Sequence, residues 1–487
     1  MVLLQLSQPI PAVLKTEIPI RRLACRSRGQ MLKKPSSSTG LCMSNAGKSE
    51  SQLPLYPPLD KSVAAVVFGD GSESGLYPLT KRRSEGAIPI GANYRLIDIV
   101  VSNCINSNIT KIYALTQLNS TSLNSHLARA YSSNGLGKDG FVEVLAADQS
   151  YEDQDWFQGS ADAIRRFLCI LDEHPVTEFL VLPGHHLYRM DYQKLIQAHR
   201  NNNADITIAV SCATRNQNAR YGFAKVDSQN QVLELKEKLE AMEQKPMKVK
   251  SSSKLKQDVH YLGSMGIYVI KRDVMMKLLT EYFPKANDFL SEVIAGAISM
   301  GMKVQSYTYD GYWEDMGSIE AFYQANIEST RKNSSAINFY DRHTPLYTLP
   351  RYLPPTMVSD AVITESVIGD GCIFDRCKID GSVIGMRTRI RDGAVVEDSV
   401  VMGSDIYQAD DVQSRMAEHG NDIPIGLGEQ SYIRKAIIDK NARIGKNVRI
   451  MNADCVKEGS REDYGYIISG GIVIVLRNAV IPDGSIL

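Results

Sequence analysis

What this sequence lacks narrows its possibilities before any motif is read. Its 55 Lys and Arg balance 55 Asp and Glu, so no charge surplus argues for nucleic acid or a membrane surface as a partner. No uninterrupted apolar run approaches the ~20 residues of a bilayer-spanning helix. The 8 cysteines include no C-x-x-C pair. The nearest two, Cys372 and Cys377, are too isolated for a metal knuckle and read as buried thiols. Acid is nearly missing from the first 48 residues, where Glu17 alone faces Lys15, Arg21, Arg22, Arg26, Arg28, Lys33, Lys34 and Lys48. A hydroxyl tract, Ser36 to Thr39, lies among them. With no compact apolar core for secretion, residues 1–50 read as an organelle transit peptide, a disordered basic arm being the other reading.

What is present is organised around residues 63–98. The apolar run Val63–Phe68 ends in a glycine-bearing loop, and an amphipathic segment starts near Tyr94. A buried strand entering such a turn presents backbone N–H groups to a phosphate at the carboxyl edge of an α/β sheet. Neither the Walker pattern nor the dinucleotide pattern is matched. Further along, apolar runs at Lys111–Leu115, Phe179–Leu182, Ile206–Val210, Gly266–Ile270 and Val304–Tyr309 predict strands of a parallel sheet. Helices fit at Tyr94–Ser107, Ser122–Tyr131, Ser160–Glu173 and Asp191–Asn202. The loops after Phe68, Leu115 and Leu182 are then expected to share one cleft.

A proline-rich stretch, Pro345 through Pro355, marks a linker, and the pattern then changes to a six-residue beat. Val367, Ile373 and Ile379 keep it, as do Ile384, Ile390, Val396 and Met402, and then Ile438, Ile444 and Ile450. Aliphatics at that spacing with Gly-Asp turns predict a left-handed parallel β-helix of hexapeptide repeats. Residues 404–430 read as a loop insertion. The fold class is therefore α/β: a Rossmann-like domain over 60–340, a linker over 341–358 and a β-helix over 359–487.

The opening loop resembles that of sugar-nucleotide pyrophosphorylases, in particular the small subunit of plant ADP-glucose pyrophosphorylase (glucose-1-phosphate adenylyltransferase). That family reads G-G-G-x-G-T-R-L-x-P-L-T, then K-P-A-V-P. Gly69, Gly71, Leu76, Tyr77, Pro78, Leu79 and Thr80 keep the frame, followed by Ala87, Ile88 and Pro89. Longer blocks carry the resemblance over residues 63–487: NYRLIDIVVSNCINSNITKIYALTQLNS, WFQGSADA, HLYRMDYQKLIQAHR, SMGIYVI, DGYWEDMG and KAIIDKNARIGKN. The resemblance implies that the first domain is a GT-A-like nucleotidyltransferase domain. It implies a plastid protein and a reaction joining ATP to glucose 1-phosphate, releasing pyrophosphate. It implies Mg²⁺ in the active members and large and small subunits as partners in a heterotetramer. It places Gln117 at the adenine, with Gly159 and Ser160 near base and ribose. It places Gly222, Glu237, Lys238 and Ser264 at the glucose 1-phosphate, Asp315 at the metal, and Lys440 at the 3-phosphoglycerate activator.

The charge-handling residues depart from the family. Asp70 and Glu73 stand where it has glycines, Gly75 where it has its arginine, Glu85 where it has its lysine, and His185 where an aspartate carries magnesium. Two unit charges ~4 Å apart interact by ~4 kcal/mol at an effective dielectric of 20, so acids in a triphosphate cradle repel the nucleotide. Magnesium prefers oxygen ligands, and imidazole replaces one poorly. His185, His186 and Asp315 suggest a zinc or iron site in its place. Adjacent residues at a strand end point apart, however, so no such site and no cofactor are expected. Leu239 replaces a loop-stiffening proline beside Lys238, Ser469 replaces a second activator lysine, and Pro54 falls where small subunits carry a bridging cysteine. The reading is a non-catalytic small-subunit homologue that assembles with or modulates family subunits. Three alternatives stay open: an adenylyltransferase of low rate, a module binding sugar phosphate or effector, and a transferase with a changed substrate.

Overall fold

The computed structural model describes residues 56–70, 75–131, 136–147, 156–211, 221–236, 260–332, 337–408 and 423–487. The predicted transit segment, Pro54, Gly71, Glu73, Glu237, Lys238 and Leu239 lie outside them.

Residues 56–332 build on a nine-stranded sheet. In chain order its strands and main helices are β1 (Val63–Phe68), α1 (Leu96–Asn106), β2 (Lys111–Thr116), α2 (Thr121–Ala130), β3 (Phe141–Ala146) and α3 (Ser160–Arg166). There follow β4 (Glu178–Pro183), β5 (His186–Tyr188), α4 (Tyr192–Asn201), β6 (Ile206–Ser211), β7 (Phe223–Val226), β8 (Val232–Lys236), β9 (His260–Lys271), β10 (Val304–Tyr309) and β11 (Trp313–Asp315). The main path runs β8-β7-β9-β4-β1-β2-β3, with β6 against β9 and β10 against β6. Strands β5 and β11 form a separate two-stranded pair.

The sheet is mixed, which corrects the expectation of a parallel one. β1 runs parallel to β2 and β4, but β9 is antiparallel to β4, β6 and β7. At 12 residues β9 is longer than the apolar run 266–270 that announces it, because the preceding residues His260–Gly263 pair with β7. The helix expected over Ser160–Glu173 is broken in two. Phe167 leaves helical dihedrals (φ −109°, ψ 12°), and its ring packs edge-on against Phe157. The other helices lie where expected, within two residues at each end. Helix α1 is capped by the Asp98 carboxylate, which accepts the Arg95 N–H at 2.9 Å, closing one of the orphan donors of a helix start.

Apolar clusters lie on both faces of the sheet. One gathers Val66, Phe179, Ile208 and Phe289; the other gathers Val67, Val100, Ile112 and Leu182. The proline-rich stretch packs back onto the first domain. Tyr347 N–H donates to Ser102 Oγ at 2.8 Å, and Thr348 Oγ1 donates to Asp98 at 2.7 Å.

From Met357 onward three sheets of parallel strands wrap a triangular coil, one of them extended near the carboxyl end by the antiparallel strands Gly459–Arg461 and Tyr466–Ser469. Strand partners lie 16 or 17 residues apart where the coils are uninterrupted, as in Met357 with Ile373 and Ile379 with Val396. Ile379, Ile384, Ile390, Val396, Ile438, Ile444 and Ile450 fill the interior as the sixfold beat predicts. Val367, Ile373 and Met402 do not: Val367 and Met402 pack in a cluster shared with the first domain, and beside Ile373 it is Phe374 that points inward, in register with Ile390. The expected insertion is shorter than 404–430, since Gly426–Leu427 rejoins a sheet between Ile390 and Ile444. Cys372 and Cys377 are buried free thiols, as read from sequence. A third apolar cluster joins the two domains, running from Leu76, Ile88 and Phe322 into Val383, Val400 and Ile474. Among the described residues no helix is long and apolar enough to cross a membrane.

Candidate functional site

Three loops converge at the carboxyl ends of β1, β2 and β4. Gly69 N–H donates to the Leu115 carbonyl at 2.8 Å, and Gly184 N–H donates to the Phe68 carbonyl at 2.8 Å. Close approach of backbone requires a glycine at Gly184 and leaves little room at Gly69. A Cβ on Gly184 would lie 2.2 Å from the Phe68 oxygen, and one on Gly69 would lie 2.8 Å from a Leu123 methyl. Asp70 bridges the loops by accepting the N–H groups of Glu85 (3.2 Å) and Gln117 (3.4 Å). Burial, partly offset by these donors, raises its pKa to about 7. The expected repulsion is corrected in part, because near neutral pH Asp70 is a half-neutral acceptor rather than a full negative charge.

The departures from the family pattern come together here. Glu85 opens a short 3₁₀ turn, Glu85–Ala87, with its side chain buried. Its carboxylate lies 3.5 Å from His185 Nδ1. On the far side of that ring, Nε2 lies 3.5 Å from Asp315 Oδ1 and 3.2 Å from the Tyr221 hydroxyl. His186 Nε2 lies 3.6 Å from the same Asp315 oxygen, and its Nδ1 accepts the Trp313 indole N–H at 3.3 Å. The three candidate ligand atoms of His185, His186 and Asp315 lie within 4.8 Å of one another.

The expectation that the two histidines point apart is therefore wrong. His185 lies in the turn after β4, where strand alternation does not apply, and only His186 belongs to β5. The antiparallel register of β5 with β11 then sets Asp315 directly opposite His186. Sequence reasoning missed Tyr221 and Trp313 as walls of this cluster. The available signal for Trp313 was WED inside the block DGYWEDMG, facing HLY at the start of another; nothing in the sequence marked Tyr221.

Gly75 sits where no side chain fits without movement: a Cβ there would lie 2.0 Å from the Gly317 carbonyl oxygen. Gln117 Oε1 is shielded from solvent and has no hydrogen-bond partner among the described residues. Gly159 and Ser160 are held against the 287–289 segment. A Cβ on Gly159 would meet the Asn287 oxygen at 2.4 Å, and Ser160 Oγ accepts the Phe289 N–H at 2.9 Å. Ser264 N–H donates to the Gly222 carbonyl at 3.0 Å, which places these two positions side by side. Gly222 adopts φ +67°, a conformation suited to glycine.

On the β-helix, Lys440 Nζ donates to Asp405 Oδ1 at 2.6 Å, and Arg477 reaches the other Asp405 oxygen at 2.8 Å. Burial lowers the Lys440 pKa. Burial works the other way on Asp405, but Lys440 and Arg477 hold that carboxyl down to about 2. Next to Lys440, Asp439 makes a buried ion pair with Arg83, which stands two residues before Glu85. Ser469 lies near Glu458, whose carboxylate accepts the Gly470 N–H at 2.8 Å.

An α/β sheet whose strand-end loops hold these side chains, fused to a three-sided coil, defines a class: a nucleotidyl transferase domain followed by a left-handed parallel β-helix. The nucleotidyl transferase family model matches residues 64–332, and that of the GLGC left-handed parallel β-helix domain matches residues 351–486. The chain belongs to the glucose-1-phosphate adenylyltransferase small-subunit family. It is 58% identical over 451 residues to the inactive glucose-1-phosphate adenylyltransferase small subunit 2, chloroplastic, of Arabidopsis thaliana, a match covering 92% of this chain and 93% of that protein. It is 52% identical over 454 residues to the glucose-1-phosphate adenylyltransferase small subunit, chloroplastic/amyloplastic, of Triticum aestivum, covering 92% and 96%.

Proposed function

We propose that this chain is a non-catalytic small-subunit-like member of the ADP-glucose pyrophosphorylase family. In this reading it folds, joins large and small subunits in a heterotetramer in the plastid stroma, and modulates them. One observation carries the reading. Where the family pattern has a lysine and a metal-holding aspartate, the pocket holds the buried pair Glu85 and His185, 3.5 Å apart. A triphosphate and its dication need positive charge and oxygen ligands there. At these two positions a carboxylate brings negative charge in place of the lysine's positive one, and an imidazole offers nitrogen in place of the aspartate's oxygen. The residues present do not fit magnesium: two imidazoles face the Asp315 carboxylate. The missing family arginine is not easily replaced, since Gly75 abuts Gly317. The word "inactive" in the name of the Arabidopsis relative agrees with this reading.

The retained positions are assigned accordingly. Gln117, Gly159 and Ser160 are remnants of a nucleotide subsite; Gly222, Glu237, Lys238 and Ser264 are remnants of a sugar-phosphate subsite. Lys440 is the effector position, now paired with Asp405. Residues 1–50 are the transit peptide, in keeping with the chloroplastic names of both relatives. Domain limits follow at 60–340, 341–358 and 359–487.

The test is co-expression with a large subunit, followed by purification and a pyrophosphate-release assay from ATP and glucose 1-phosphate with magnesium. Co-purification without turnover above that of the large subunit alone is expected. Turnover at the rate of a competent small subunit overturns the proposal. Calorimetry with glucose 1-phosphate and with 3-phosphoglycerate, without ATP, separates a ligand-binding module from an assembly subunit.

A further inference from the structure

From the geometry at the end of β5 we infer that this chain carries a transition-metal site, selective for Zn²⁺ over Mg²⁺, made by His185, His186 and Asp315. Two neutral imidazoles and one carboxylate are a donor set that zinc accepts with a fourth position left open. Magnesium demands near-octahedral oxygen ligands and is poorly served by imidazole. Among the described residues these three are the one group of three or more His, Cys, Asp or Glu side chains with ligand atoms so close together.

The distances suit an ion of that kind. A tetrahedral zinc bound at ~2.0–2.1 Å sets its ligand atoms ~3.4 Å apart. Asp315 Oδ1 already stands 3.5 Å from His185 Nε2 and 3.6 Å from His186 Nε2. Only the separation between the rings has to close, from at most 4.8 Å. Asp315 retains some solvent exposure, while both histidines are buried, so the carboxylate is the side from which an ion enters.

The surroundings complete the arrangement. The Glu85 carboxylate, 3.5 Å from His185 Nδ1, stands where a small closing movement would make the carboxylate–histidine–metal relay that fixes a ring with Nε2 toward the ion. The Tyr221 hydroxyl, 3.2 Å from that Nε2, occupies the ligand's place in the metal-free protein and gives way on binding. On His186 the indole of Trp313 works against the ion. An indole N–H is a donor only, so the ring nitrogen facing it is unprotonated and the His186 proton lies on Nε2, toward Asp315. When the ion takes Nε2, that proton leaves and Nδ1 acquires one as the indole bond opens. No charge is left over on the ring, and the cost is one long hydrogen bond. The site thus has a built-in restraint that a single substitution removes.

The experiment uses the full chain, stripped with a chelator, dialysed, and titrated with zinc ion alone against a chromophoric competitor. Magnesium serves as control, and Co²⁺ substitution supplies an absorption spectrum. Expected are one zinc per chain, a preference over magnesium of at least about 100-fold, and the intense visible bands of four-coordinate cobalt. His185→Ala and Asp315→Asn each weaken zinc at least about tenfold, while Trp313→Phe tightens it. His185→Asp, which restores the family residue, moves the preference toward magnesium. Stoichiometric zinc unchanged in His185→Ala and Asp315→Asn, or no uptake by the folded parent chain, overturns the inference. If either variant fails to fold, the cobalt spectrum of the parent decides: octahedral, pale bands overturn the site. The outcome is independent of whether the chain turns over substrate.

Discussion

Replacing Asp70 by asparagine is expected to flatten a specific part of the protein's pH–stability curve. The carboxyl has a folded pKa of about 7 against an ordinary value of 3.8, chiefly because burial penalises its charge. Between those values the folded chain binds a proton that the unfolded chain has released, so stability falls as pH rises through that window and is level above it. At ~1.4 kcal/mol per pH unit the whole loss is ~4 kcal/mol, and the part between pH 5 and 7 is ~3 kcal/mol. Asp70 receives the two N–H groups on different oxygens, and the amide of Asp70→Asn keeps only one acceptor, so the variant loses one hydrogen bond by about the same amount at every pH while the titration disappears. The assay is urea denaturation of parent and variant at pH 5, 6, 7 and 8, read as the difference between them. Differencing is necessary because His199 pulls the other way. Burial holds that ring's pKa down to about 4, so it subtracts stability as pH falls from ~6.5 toward 4. The variant should gain on the parent steadily up to pH 7 and hold that gain at pH 8. Parallel curves for the two proteins would falsify the argument that burial governs this carboxyl.

Three further outcomes follow from the same geometry. Arg83→Met strands the buried Asp439 carboxylate and should cost ~3–5 kcal/mol in urea denaturation, whereas the double replacement Arg83→Met with Asp439→Leu should recover most of it; equal losses in both proteins would show the pair does not matter. His199→Gln should abolish the loss of up to ~3 kcal/mol between pH 6.5 and 4, with melting temperature against pH as the readout. Restoring the family residues together, by Asp70→Gly, Glu73→Gly, Gly75→Arg, Glu85→Lys and His185→Asp, should raise pyrophosphate release by about 10²-fold or more above the parent's background. Gly75→Arg alone should yield no turnover and should lower the melting temperature, because its Cβ meets the Gly317 carbonyl.

Much of this molecule was legible in its sequence because burial leaves periodic marks. The sixfold aliphatic beat reports a coil whose interior accepts one side chain per face, and it failed at Val367, Ile373 and Met402, where the neighbours Ile368, Phe374 and Val401 turn inward instead. The apolar runs at Val63 and Phe179 are strands buried on both faces, and nothing polar interrupts them. The direction of β9 was not legible, since antiparallel pairing to β4 and β6 depends on partners far away in the chain. At the site, identities were legible and geometry was not. That His185 and His186 converge on Asp315 follows from a turn and a strand register linking residues more than a hundred positions apart. The charge of Asp70 was assigned from its type, and its surroundings then moved it.

The oily seam running from Leu76 and Phe322 into Val400 and Ile474 has a practical consequence. It makes the halves poor candidates for separate life: a chain cut after the first domain would bare one side of that seam, and a solitary coil would bare the other. Erosion of the chemistry can therefore proceed residue by residue in the pocket, while selection for a soluble product keeps both halves whole. A member that had stopped working would still look, from outside, like a competent building block.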